Sequence, residues 1–76
     1  MPTWKKSAPA RLGDPLTPRE LEVLALVAAG HTTPQIAARL GIAPVTIKTH
    51  LASVYRKVGV RNRVQAARHY LDHHAA

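Results

Sequence analysis

The chain has 76 residues, enough for one small domain, and a domain of about 60 residues buries only about 60% of the surface its unfolded chain exposes. It has no Cys and no Phe, which excludes disulfides, thiol chemistry and Cys-ligated zinc and leaves a core of Leu, Val, Ile and Ala. Eleven Lys and Arg face four acids, a formal net charge of +7 with a pI near 11.0, and that balance points to a polyanionic partner, either nucleic acid or an anionic membrane. No apolar run approaches the roughly 18 residues of a membrane span. Lys5 and Lys6 are followed by no apolar stretch of the kind a secretory signal needs. The expectation is a soluble cytoplasmic protein with no membrane partner.

Residues 1–15 (MPTWKKSAPARLGDP) carry three Pro, one Gly and scattered bases without helical or strand periodicity. They read as a flexible basic arm or linker. From Thr17 onward the punctuation repeats: cap, apolar helix, Gly. Thr17-Pro18-Arg19-Glu20 is a capping box with Pro at the first helical position. Leu21, Leu24, Val27 and Ala28 follow at helical spacing, and Gly30 is a natural stop. A second helix starts at Thr32 or Thr33, where Thr32 and Gln35 suit a second capping box. Its inner face is Ile36, Ala37 and Leu40, and Gly41 ends it. A third runs from about Pro44 to Val58, before Gly59, and a fourth from Asn62, with Gln65 as cap partner, to about Leu71. Val64, Ala67 and Leu71 share one stripe of that helix, and nothing reads as a strand.

The segment from Ile36 to Ile47 has the makings of a helix-turn-helix. Two helices crossing at about 90–120° through a short turn need a small residue where they pass, a left-handed turn position and an apolar anchor. Ala37, Gly41 and Ile42 supply these, and Pro44 presets the first turn of the next helix. At about 100° per residue, Ile47, Leu51, Val54, Tyr55 and Val58 form a core face on helix 3. Val45, Lys48, Thr49, Ala52 and Arg56 form a separate outward face, and the helix contains no Asp or Glu. A solvated helix face ordinarily pairs Glu with Lys. An acid-free one can enter the major groove, where Lys48 can donate to guanine, Thr49 can bond either way, and Ala52 or Val45 can touch a thymine methyl. Thr32, Thr33 and Thr46 lie at helix N-termini suited to phosphate, though Thr32 and Thr33 also serve as plain caps. Arg56 and Lys57 are candidates for phosphate contact or for solvated charges that suit the helix dipole. His50, on the flank of the core face, reads as partly buried and structural.

These residues resemble the LuxR/GerE DNA-binding domain. The resemblance rests on Leu16-Thr17-Pro18-Arg19-Glu20-Leu21-Glu22-Val23-Leu24, then Gly30, Ile36-Ala37, Leu40-Gly41-Ile42, Thr46-Ile47-Lys48-Thr49-His50 and Lys57-Val58-Gly59-Val60 with Arg61 and Arg63. It covers about residues 16 to 71. It implies an all-α, four-helix helix-turn-helix domain over residues 16–73, with a three-helix core and a dimerisation helix. It also implies sequence-specific binding of double-stranded promoter DNA by a transcriptional regulator, as a homodimer on two half-sites, with no cofactor. RNA polymerase is a further candidate partner. Carried over by position, Val45, Lys48, Thr49 and Ala52 would contact bases. Thr32, Thr33 and Thr46 would contact the DNA backbone, with Arg56 and Lys57 added on charge. Val64, Ala67, Arg68 and Leu71 would form the dimer face. Glu20, Leu24 and Gly30 match positions of structural importance; Glu20 suits the helix 1 cap and an ion pair to a base such as Lys57 or Arg63.

Two positions depart from the family pattern. Ala43 stands where a capping Ser is usual, and Ala52 where some members place a basic reader. The first 15 residues are too few for the receiver or ligand-binding domain that often precedes such modules. The expectation is a C-terminal domain of a response regulator or a stand-alone GerE-like regulator.

Other readings are weaker. A sigma-factor promoter-recognition domain shares the Leu-Thr-Pro-Arg-Glu opening, but typically continues with an Arg-rich helix where this chain has Thr-Ile-Lys-Thr-His. A basic module docking an acidic protein partner suits the charge and is separated from a DNA reader only by sequence discrimination. No acid–base pair or nucleophile constellation suggests an enzyme. His69 and His73 are four apart with His74 beside them, but no suitable further metal ligand is placed.

Overall fold

The computed structural model describes residues 9–74. Four helices follow one another: α1 (Pro18–Ala28), α2 (Thr33–Leu40), α3 (Pro44–Val58) and α4 (Arg63–His73). The described residues contain no strand. Each helix begins at the residue its sequence punctuation indicates. Thr17 Oγ1 accepts from the Glu20 amide at 3.1 Å while Glu20 Oε1 accepts from the Thr17 amide at 2.9 Å. Thr32 and Gln35 repeat this reciprocal box. At α4, Asn62 Oδ1 caps the Gln65 amide at 2.9 Å, but the Gln65 side chain takes the Arg61 amide instead of closing the box. α3 has no side-chain cap at Ala43, as the missing Ser foretold. Pro44 and a tight first turn, Thr46 N–H to Ala43 O at 2.9 Å, serve in its place.

α2 and α3 end alike. Gly41 (φ 70) and Gly59 (φ 77) take the left-handed conformation, and the next residue bonds back across the turn, Ile42 N–H to Ala37 O and Val60 N–H to Tyr55 O. Each turn then delivers a half-buried apolar residue, Ile42 or Val60, to the core.

The core has two lobes joined by Tyr55. One contains Val23, Val27, Ile36, Ala37, Ile47 and Leu51, and the other Leu24, Val54 and Ala66. α1 packs against all three other helices, which explains a departure from the expected stripe. Its inner face is Glu20, Val23, Leu24 and Val27, whereas Leu21 is exposed. The four-residue pattern aimed at one neighbour, but the burial of α1 is set by three.

Part of the segment read as an arm is tied to the domain. Leu12-Gly13 forms a turn in which the Arg11 amide reaches Asp14 Oδ2 at 3.0 Å and the Gly13 amide bonds Lys57 O at 2.9 Å. Residues 1–8, with Lys5 and Lys6, lie outside the described residues.

Candidate nucleic-acid interface

α3 divides its side chains as its wheel requires. Ile47, Leu51 and Val54 are buried, while Tyr55 and Val58 pack half-buried against the lobes. Val45, Lys48, Thr49, Ala52 and Arg56 are all exposed on the outward side. Val45 is 69% exposed, an apolar group that the fold itself does not use. Thr49 Oγ1 donates to Val45 O at 3.1 Å, so its proton is committed and its lone pairs face outward as acceptors. Thr46 and His50 are half-buried on the flanks.

Lys57 is placed differently from its expected phosphate role. Its ammonium lies 2.6 Å from Glu20 Oε1, with the two side chains only 12% and 6% exposed. Ser53 Oγ donates to Glu20 Oε2 at 2.5 Å. Burial pushes the Glu20 carboxyl up, but hydrogen bonds from Lys57, Ser53 and the Thr17 backbone, with the Lys57 charge, outweigh it and hold the pKa at about 2. Lys57 is therefore a partner of the α1 cap, and its charge is spent inside the domain. Of the two bases that could have paired with Glu20, the structure selects Lys57 and sends Arg63 elsewhere. Ser53 was not anticipated, although its spacing of four from Lys57 places both on one helical face.

At the start of α2, Thr32 is exposed and Thr33 half-buried. Arg63, the first residue of α4, reaches across to this corner, with Nη2 at 2.5 Å from His31 O and Nη1 at 3.2 Å from Thr33 Oγ1. The bases at the interface therefore have unequal freedom. Lys48 and Arg56 project outward, while Lys57 and Arg63 are bonded to the protein.

On α4, Ala66 is fully buried against Leu24 and Val54. Val64 and Leu71 are 79% and 53% exposed. Arg68 is also exposed and pairs loosely with Asp72 at 3.3 Å. Val64, Arg68 and Leu71 lie on one outward face, i, i+4 and i+7. Ala67 of the same expected set is half-buried and packs on the first core lobe. At the helix end the rings of His69 and His73 stand 4.4 Å apart. Burial, then the neighbouring His73 and His74, lower the His69 pKa against the pull of Asp72. Among the described residues no group of three or more His, Cys, Asp or Glu could hold a metal ion. No helix there is long and apolar enough to cross a membrane.

Two helices joined through a left-handed glycine, the second with an exposed acid-free face, define a helix-turn-helix domain of the DNA-binding class. Comparison with known proteins gives its family. The GerE family, described as bacterial regulatory proteins of the luxR family, matches residues 14–70. The chain belongs to that family of DNA-binding transcription regulators, which is not an enzyme family. The fold is also similar to a solved structure, the response regulator ChrA of a heme-sensing two-component system, with 36% identity and a TM-score of 0.76. The match covers 83% of this chain and 31% of that one, so the chain corresponds to about a third of the length of that regulator.

Proposed function

We propose that this domain reads double-stranded promoter DNA by laying α3 in the major groove, two copies pairing through α4. The observation that carries the reading is the outward face of α3, where Val45, Lys48, Thr49, Ala52 and Arg56 are exposed and no carboxylate on the helix repels phosphate. On this reading Val45, Lys48, Thr49 and Ala52 touch base edges. Arg56, Thr46 and the Thr32–Thr33 corner touch the backbone. Val64, Arg68 and Leu71 meet their counterparts across a two-fold axis, with Ala67 at the margin. Half-sites then lie about 10 bp apart. Arg11, exposed beside its turn, adds sequence-independent attraction. Contact with RNA polymerase belongs to the same reading.

The test is selection from a pool of random duplexes at near-physiological salt, followed by sequencing of what is retained. The expected result is a two-part, roughly palindromic motif. A retained pool with no enriched sequence overturns specific reading and turns attention to an acidic protein partner.

A further inference from the structure

We propose that Arg63 is a positioning residue for DNA-backbone binding, holding the Thr33 hydroxyl so that its proton is presented outward to a phosphate. The inference rests on the DNA-binding reading above and adds a role for a residue of α4 in it.

A hydroxyl has one proton and two lone pairs. Arg63 Nη1 donates to Thr33 Oγ1 at 3.2 Å, so a cation occupies a lone pair. The proton has no acceptor among the described residues, and a charged donor on the oxygen makes the O–H a stronger donor in turn. Thr33 opens α2, where the first amides have no intrahelical acceptor. Pro34 has no N–H to offer, and the Gln35 amide is taken by Thr32 Oγ1 at 3.3 Å. That bond also leaves the Thr32 proton unspent. The corner therefore presents the Thr33 amide, the Thr33 hydroxyl and the Thr32 hydroxyl together, all donors. Arg63 fixes the corner with two bonds of its fork, the second to His31 O at 2.5 Å. A lysine has the same charge but lacks the rigid fork that makes both bonds.

The test is a double-mutant cycle on affinity for a mixed-sequence duplex, with thermal melting of each variant followed by circular dichroism. Thr33→Val and Arg63→Lys should each weaken binding about tenfold. Since both act through one hydroxyl, the double variant should also be weaker by only about tenfold. A double variant weaker by about a hundredfold, the product of independent effects, overturns the proposal. So does wild-type affinity in Arg63→Lys. In Arg63→Gln the salt dependence should keep its slope; a fall of about 0.9 marks Arg63 as a phosphate contact in its own right and also overturns it. Should Arg63→Gln fail to fold, Arg63→Lys and Thr33→Val carry the cycle. If Lys48→Ala weakens binding and the Thr33 and Arg63 variants do not, this inference alone fails. If none of them changes binding, the DNA-binding reading fails with it.

Discussion

The buried carboxylate of Glu20 ties the start of α1 to the last two turns of α3, and its removal has a calculable cost. The Glu20 pKa is lowered from 4.5 to about 2. At about 1.4 kcal/mol per pH unit, that gap corresponds to about 3 kcal/mol of folding free energy. Because the folded value is the lower one, this contribution is fully present above pH 4.5 and is lost as the pH falls from 4.5 towards about 2. A domain of this size has a total stability of about 4–11 kcal/mol, so acid should remove from about a quarter to about three quarters of it and lower the urea midpoint accordingly. The other three acids, Asp14, Glu22 and Asp72, are exposed, which leaves Glu20 as the buried contributor. Glu20→Gln keeps an acceptor for the Thr17 amide but strands the Lys57 ammonium, so at neutral pH it should cost about 3–5 kcal/mol. Urea unfolding by circular dichroism at pH 7, 4.5, 3.5 and 2.5 checks both effects, with the sampling points set at about these values by the expected window. The gap between wild type and Glu20→Gln should close by about 3 kcal/mol as the pH falls. A constant gap over the whole range would mean that Glu20 is not held charged by its partners.

Three further outcomes are expected. Lys48→Ala should cost about 1–3 kcal/mol on the best site and relax one base position; equal weakening on every sequence in the selection assay would make Lys48 a phosphate contact instead. Leu71→Glu should abolish pairing through the outward face of α4, and sedimentation at high concentration in the presence of operator duplex checks this, since an unchanged profile rules that face out. Gly59→Ala forces a side chain into φ 77, with its Cβ 2.9 Å from Leu12 Cδ1; it should cost at least about 1 kcal/mol and lower Tm by about 4–8 °C. In the same variant the Gly13 amide should exchange faster as its turn is pushed from α3, and unchanged exchange there would show that Leu12 swings aside freely.

The helices were legible because their signals are local. A cap and its N3 partner, or a Gly after an apolar stripe, act within a few residues; α1, α2 and α4 start where such a pair lies, and α3 starts at Pro44 without one. The outward face of α3 was legible for the same reason. Less legible was anything that depends on a neighbour distant in sequence. Leu21 and Val23 differ in burial because α1 has three partners, which no single stripe reveals. Lys57 fits equally well as a helix-end charge and as an ion-pair partner until α1 is placed beside α3. Val64, Ala67 and Leu71 read as one stripe of a dimer face, but nothing local marks Ala66 as the residue that faces the core, where only a small side chain admits α4 to the pocket beside Leu24 and Val54. The reach of Arg63 to Thr33, across 30 residues of chain, has no local signature at all.

The internal pairing of Lys57 changes what the proposed interface has available. Of the bases on α3, Lys48 and Arg56 are exposed and have no ion-pair partner among the described residues, and they sit two turns apart. Thr49 has given its proton to Val45 O, so towards a base it accepts, which suits the amino group of adenine or cytosine. Lys48 only donates, which suits guanine. Val45 and Ala52 offer methyl surface to thymine. On this basis a half-site has few hydrogen-bonded positions, and an apolar residue at Ala52 removes a donor that a basic side chain would add. On the proposed reading, affinity would rest on phosphate contacts at the start of α2 and the basic charge of the chain, and discrimination on Lys48, Thr49 and the deformability of the steps between them. A selected motif should therefore show a short strong block in each half-site, flanked by positions biased in shape more than in base identity.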